Sequence, residues 1–233
     1  MMNSKSQSGN AVIYVLIVVV LFAALGFTLS RQSDTSETSS LDTERASIMA
    51  TQLIEKANQV KQGVDQMIFS GSAFTPTTSD LVFITPDDAA FNTAPNIHKV
   101  WHPSGGGMTL PTLPPDAVHQ VDADPVAGWY LGLFNNVEWT PTTATDVVLT
   151  AHQISKVVCE QVNKKITGTT TIPVLAGAVS IKDVLIDTAK HTGGANVDLD
   201  TTACVAGCDG MPSLCISNNA GTMWSFYSLI ESR

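Results

Sequence analysis

AVIYVLIVVVLFAALGFTL, residues 11–29, contains no charged side chain, and its reading decides the fold. At about 1.5 Å of helical rise per residue, such a stretch just reaches across a hydrocarbon core of about 30 Å. Val, Ile, Leu, Phe and Ala dominate it, and Tyr14 near one end suits the headgroup region. Ahead of it stands MMNSKSQSGN with Lys5; behind it come Arg31, Asp34 and Glu37. One positive group on each side gives little positive-inside bias, and the short tail favours an inside N-terminus. The bulk of the chain is therefore expected outside the cytoplasm. Three readings of the segment compete. It is a cleaved secretory signal with Ala24-Leu25-Gly26 as its small-x-small site, or a plain signal anchor, or a helix kept after a polar leader ending at Gly9 is cut before Asn10.

The third reading is preferred on resemblance. SGNAVIYVLIVVVLFAAL, residues 8–25, resembles the heads of an uncharacterised group of proteobacterial pilin-like proteins: Gly-Asn-Ala, then an apolar helix ending in Phe-Ala-Ala-Leu. Type IV pilins and type II secretion pseudopilins share that plan. KVWHPSGGGM (99–108) and VVCEQVNKKI (157–166) resemble segments of the same group. The resemblance implies a leader over 1–9, a transmembrane and stem helix over 10–30, a polar linker over 31–40, an amphipathic helix over 41–70 and an extracytoplasmic head over 71–233. It implies an inner-membrane single-pass protein whose C-terminal domain is periplasmic or extracellular. Its partners would be the lipid bilayer, a prepilin peptidase acting at Gly9 and Asn10, and other pilin-like subunits. One departure stands out. Most pilins carry Glu at the fifth mature position, which here is Tyr14, and its absence removes both a buried charge and an assembly device. Gly26-Phe27-Thr28-Leu29 imitates a prepilin cleavage sequence but has the apolar segment on its wrong side.

Beyond the apolar stretch, RQSDTSETSS (31–40) reads as a flexible spacer. Ala46, Met49, Leu53, Ala57, Val60, Val64 and Met67 then recur at three and four residues, one face of a helix. Ser40 is its expected N-cap, Asp42 and Glu44 suit its first turn, and Gly71 is a stop. From residue 72 the character changes to short apolar or alternating runs at Leu81–Thr85, Ile97–Trp101, Trp129–Phe134 and Leu214–Ser217, separated by turn residues. Met223–Ile230 reads as a closing strand. A helix is expected at about 145–166, capped by Thr145 or Asp146, with a short one at Val179–Thr188. The expected fold class is α+β: a long N-terminal helix packed on a small antiparallel head with one further helix and a disulfide-linked C-terminal region.

Composition narrows the function. Charged residues are only 14 % of the chain, with Ser, Thr, Asn, Gly and Ala in their place, as in secreted β-rich domains. The net charge is −9, and Lys5 is the sole charge ahead of Arg31, so the acidity lies beyond the apolar stretch. A surface of that sign repels phosphate backbones, and Lys164-Lys165, the longest basic run, reads as solvated helix surface. Nucleic acid is not an expected partner.

The four cysteines, Cys159, Cys204, Cys208 and Cys215, read as two disulfides in an oxidising compartment. Three connectivities are possible. The one favoured staples Cys204 to Cys208 around Gly207 and ties Cys159 to Cys215. C-terminal disulfide loops are also a pilin feature, as the resemblance implies. Zinc is disfavoured because Cys204, Cys208 and Cys215 lack C-x₂-C spacing. His98 and His102 share a side as strand or helix but have no third ligand in view. Ser104-Gly105-Gly106-Gly107 lacks the Lys-Ser/Thr of a phosphate loop and reads as a turn. Asp87-Asp88, Asp122/Asp124 and Asp198/Asp200 match no EF-hand. No catalytic motif is present, so neither enzyme activity nor a cofactor or metal is expected. The function expected is a pilin-like structural subunit of a type IV pilus or type II secretion-type filament, membrane-anchored before assembly. The alternative is an anchored or secreted binding module whose loops at 86–125 contact a ligand. A periplasmic hydrolase or metal enzyme has no motif behind it.

Overall fold

The computed structural model describes residues 9–69, 81–204 and 207–233; within the first helix, side chains are described at 13–23 and 42–69. The chain divides into two compact units, Met1–Arg45 and Ala46–Arg233. Among the described residues three α-helices, α1 (Gly9–Phe69), α2 (Lys156–Thr167) and α3 (Ile181–Leu185), accompany four strands, β1 (Gly128–Asn135), β2 (Asp146–Ile154), β3 (Ser213–Ser217) and β4 (Trp224–Glu231).

The first unit corrects the expected fold class and localisation. Within α1 the stretches whose side chains are described are short, residues 13–23 and residues 42–69, and the expected long N-terminal helix with a membrane half is not borne out. Among the described residues no helix is long and apolar enough to cross a membrane, and single-pass inner-membrane anchoring is overturned with it. The reason is length and charge. Residues 13–23 rise about 16 Å, roughly half a hydrocarbon core, and residues 42–69 carry Asp42, Glu44, Arg45, Glu55, Lys56, Lys61 and Asp65. The side chains of the 31–40 linker and of the Ser40 cap, and Gly71 altogether, lie outside the described residues.

The second unit is built on an antiparallel sheet of order β1-β2-β4-β3. From Ala46 onward α1 buries Ala46, Ala50, Leu53, Ala57, Val60, Val64 and Met67, the expected face with Ala50 added and Met49 packed half-buried at its side. Gly63 leaves room for the Met108 side chain: a Cβ there would stand 2.0 Å from its sulfur. That face joins Trp129, Val147, Leu149, Ala151, Val158, Val162, Cys215 and Phe226 in one apolar cluster. A second cluster holds Val148, Leu214, Ile216 and Tyr227 with Ile181, Val184 and Leu185 of α3. Alternate strand residues thus serve opposite cores, as the pleat requires.

Double burial explains the misread segment at 145–166. Every residue of β2 is buried, so DVVLTAHQI shows no polar side and its apolar positions also fit a helical period. The helix begins only after Ser155 and ends at Gly168, whose φ of +81° sets the left-handed cap while its N–H donates to Lys164. Asp146 is not a helix cap. Its carboxylate, at the buried start of β2, accepts from the Val137 and Arg233 backbone N–H groups and the Thr140 hydroxyl. The runs at 81–85 and 97–101 form no strand; they meet in a single parallel bridge, Val82 with Lys99. Trp129–Phe134, Leu214–Ser217 and Met223–Ile230 fall on β1, β3 and β4.

Candidate functional site

The feature with the plainest functional meaning is the apolar stretch of α1. From Ile13 to Phe22 every side chain is between 49 and 71 % exposed, around the full circumference of the helix. A helix that is apolar on all sides is stable where something covers it. Gly9 and Asn10, expected to flank leader cleavage, open α1, and their side chains lie outside the described ones.

The cysteines serve the second unit. Cys159 on α2 is bonded to Cys215 on β3 with Cα atoms 5.4 Å apart, and Cys204 to Cys208 at 5.9 Å. No cysteine is free. Beside the first bond, the fully buried Asn163 donates to the carbonyls of Thr171 and Cys215 while its own oxygen accepts from the Cys215 N–H. One side chain thus satisfies both backbone groups of a bonded cysteine. Two disulfides fit an oxidising, extracellular compartment.

The loops at 86–107 are organised by an ammonium group. Lys99, 4 % exposed, shares its three N–H groups among four oxygens, the carbonyls of Ala90, Phe91 and Thr93 and the Asn96 side-chain oxygen, at 2.5–2.8 Å. An internal cation holding four oxygens does what a bound metal does elsewhere in a loop. The Ser104–Gly107 turn is packed against it: a Cβ on Gly105 would lie 2.2 Å from the Lys99 carbonyl oxygen, and one on Gly106 2.4 Å from that of Val100. These glycines are used for close packing.

Other sequence candidates prove to be structural. His102 accepts from the Ser104 N–H, and its ring lies tilted against that of Phe91 with centroids 5.1 Å apart. Asp124 accepts from the Thr192 N–H and hydroxyl, which hold its carboxyl below the usual range. Asp198 accepts from Asn136, and Asp200 from Thr202 and Ala203. Among the described residues no three His, Cys, Asp or Glu side chains are grouped to hold a metal.

Sequence reasoning missed a buried polar line across the sheet. His152 on β2 and Ser225 on β4 are cross-strand partners, with the His152 Nδ1 2.8 Å from the Ser225 hydroxyl. Both are fully buried, so the pair has the atoms of a nucleophile and base without access for a substrate. Burial pushes the imidazole down to about 4, and neutral His152 is the resident form. The next residue, Gln153, has φ of +58° at a register break in β2. The bulge turns its amide onto the loop at 121–125, where it accepts from the Val121 and Asp122 N–H groups and donates to the Asp122 and Pro125 carbonyls. Neither pairing has a local sequence signal, because the partners lie 73 and about 30 residues away.

No family model, curated protein or solved structure matches the chain. The functional reading therefore rests on the residues themselves.

Proposed function

We propose that the chain is a pilin-like structural subunit of an extracytoplasmic filament, of the type IV pilus or type II secretion kind, assembling through the apolar stretch 13–22. The observation that carries this reading is the exposure of ten consecutive apolar side chains from Ile13 to Phe22. Covering such a side chain is worth about 1.5–3 kcal/mol, so copies that pack these stretches together gain far more than association costs. The disulfide-bonded second unit suits display outside the cell. Tyr14 in the place of the usual carboxylate fits packing by apolar contact alone.

Val18→Asp tests the proposal by placing a charge in the centre of the stretch. Sedimentation of the full-length chain should show large assemblies for the native protein and their loss in the variant, with unchanged near-ultraviolet circular dichroism. Native protein that stays monomeric without detergent, or a variant that assembles equally well, refutes it.

A further inference from the structure

The sheet has two edges, and they are treated differently. On β3 the outer edge is occupied: the Leu175 N–H donates to the Ser217 carbonyl, and the Ser217 N–H to the Pro173 carbonyl. Just past β1, Asn136 and Glu138 exchange bonds with Leu199. Along Gly128–Leu133, however, the ladder runs to β2 alone among the described residues. Every second residue of an antiparallel strand turns its N–H and C=O away from its partner, so about three residues here direct theirs outward. Natural edges of this length are blunted by Lys, Pro, a bulge or a covering segment. GWYLGLFN has neither charge nor proline, and its one register shift lies at the far end, between Leu133 and Asn135.

The edge faces a slot. Two cavities of about 510 and 500 Å³ lie along it, and Phe83, Tyr130, Leu131 and Lys190 line both. Across the slot runs the extended segment 81–84, whose Val82 bonds to His98 and Val100 and not to β1. Gly132 makes room on the strand's face for the Phe134 ring, from which a Cβ there would stand 2.7 Å. The rim is acidic, with Asp87 on one cavity and Asp88 and Asp187 on the other against the single Lys190.

We propose that the β1 edge takes an extended segment of a partner protein as a fifth strand, with apolar side chains alternating with Lys or Arg. Backbone pairing supplies affinity and the slot reads alternate side chains. The rim charge selects a cationic partner, and the chain's own net charge of −9 disfavours a second copy there. The slot lies in the second unit and does not depend on the filament reading, so either can fail alone.

The test uses the full-length protein and three blocked heptapeptides: alternating Val and Lys, the same with a central Pro, and alternating Val and Glu. Fluorescence anisotropy should give the Val-Lys peptide an affinity at least about tenfold above both controls. Hydrogen exchange of alternate amides in Gly128–Leu133 should slow by about tenfold or more on binding. Asp87→Lys, a change at an exposed site, should weaken the Val-Lys peptide and not the Val-Glu one. Binding of all three peptides within about threefold of one another, or unchanged β1 exchange, overturns the proposal. Slowing of those amides by raised protein concentration alone identifies a second copy and overturns the cationic partner.

Discussion

Acid should weaken the fold through one imidazole. His152 is fully buried, meets the Ser225 hydroxyl at Nδ1 and has no partner at Nε2. Its ordinary value of 6.5 is pushed down to about 4 by burial, opposed by the Asp122 carboxylate and aided to a lesser extent by His191 and Lys182. The unfolded chain therefore takes up a proton below pH 6.5 that the folded chain refuses until about pH 4. Stability is complete above 6.5, declines as the pH falls through that window, and loses nothing further from this group below it. At about 1.4 kcal/mol per pH unit the loss from this residue is about 3 kcal/mol. The assay is urea unfolding followed by tryptophan fluorescence, at pH steps from 8 to 4, for the native protein and His152→Gln. Carboxylates titrate in both proteins and cancel in the difference. The native protein should lose about 3 kcal/mol more than the variant between pH 7 and 4, although the variant starts lower at pH 7 for want of the ring's packing. Parallel curves would refute the reasoning, because they would mean that His152 charges as easily folded as unfolded.

Asn163→Ala should cost about 2–4 kcal/mol in the same unfolding assay, since it strands the buried N–H and C=O of Cys215. The disulfides should rank by the loop they close. Replacing Cys159 and Cys215 by Ala, with a separation of 56 residues, should cost about 4 kcal/mol, and replacing Cys204 and Cys208, with a separation of 4, about 2. Lys99→Met should leave four oxygens without their donor and open the loop at 88–107 to protease, with first cleavage mapped there by mass spectrometry.

Much of the second unit was legible where burial is one-sided. The face from Ala46 to Met67 announces itself because the opposite side of α1 is polar, and β4 because its run is long and bounded by turn residues. Parity and compartment were enough to read the cysteines as disulfides. The segment at 146–154 was not legible: with cores on both faces it has no alternation, and Val147, Ala151, Ile154 and Val158 fall equally well on a helix. The apolar run at the N-terminus was over-read from length alone, since hydropathy says that a segment must be covered and not by what. Lys99, Gln153 and His152 were invisible because their roles are set by partners that only the fold brings near. The β1 edge needed the strand order, which local pattern does not contain.

The Cys159–Cys215 bond also shapes how the second unit would bear load. Tension applied between the two ends of the polypeptide passes from α2 to β3 through sulfur and bypasses the 56-residue separation between them. Fully drawn out, that length would add about 190 Å of slack. With the crosslink intact it contributes none, and α3 and the Cys204–Cys208 loop stay at rest however hard the termini are pulled.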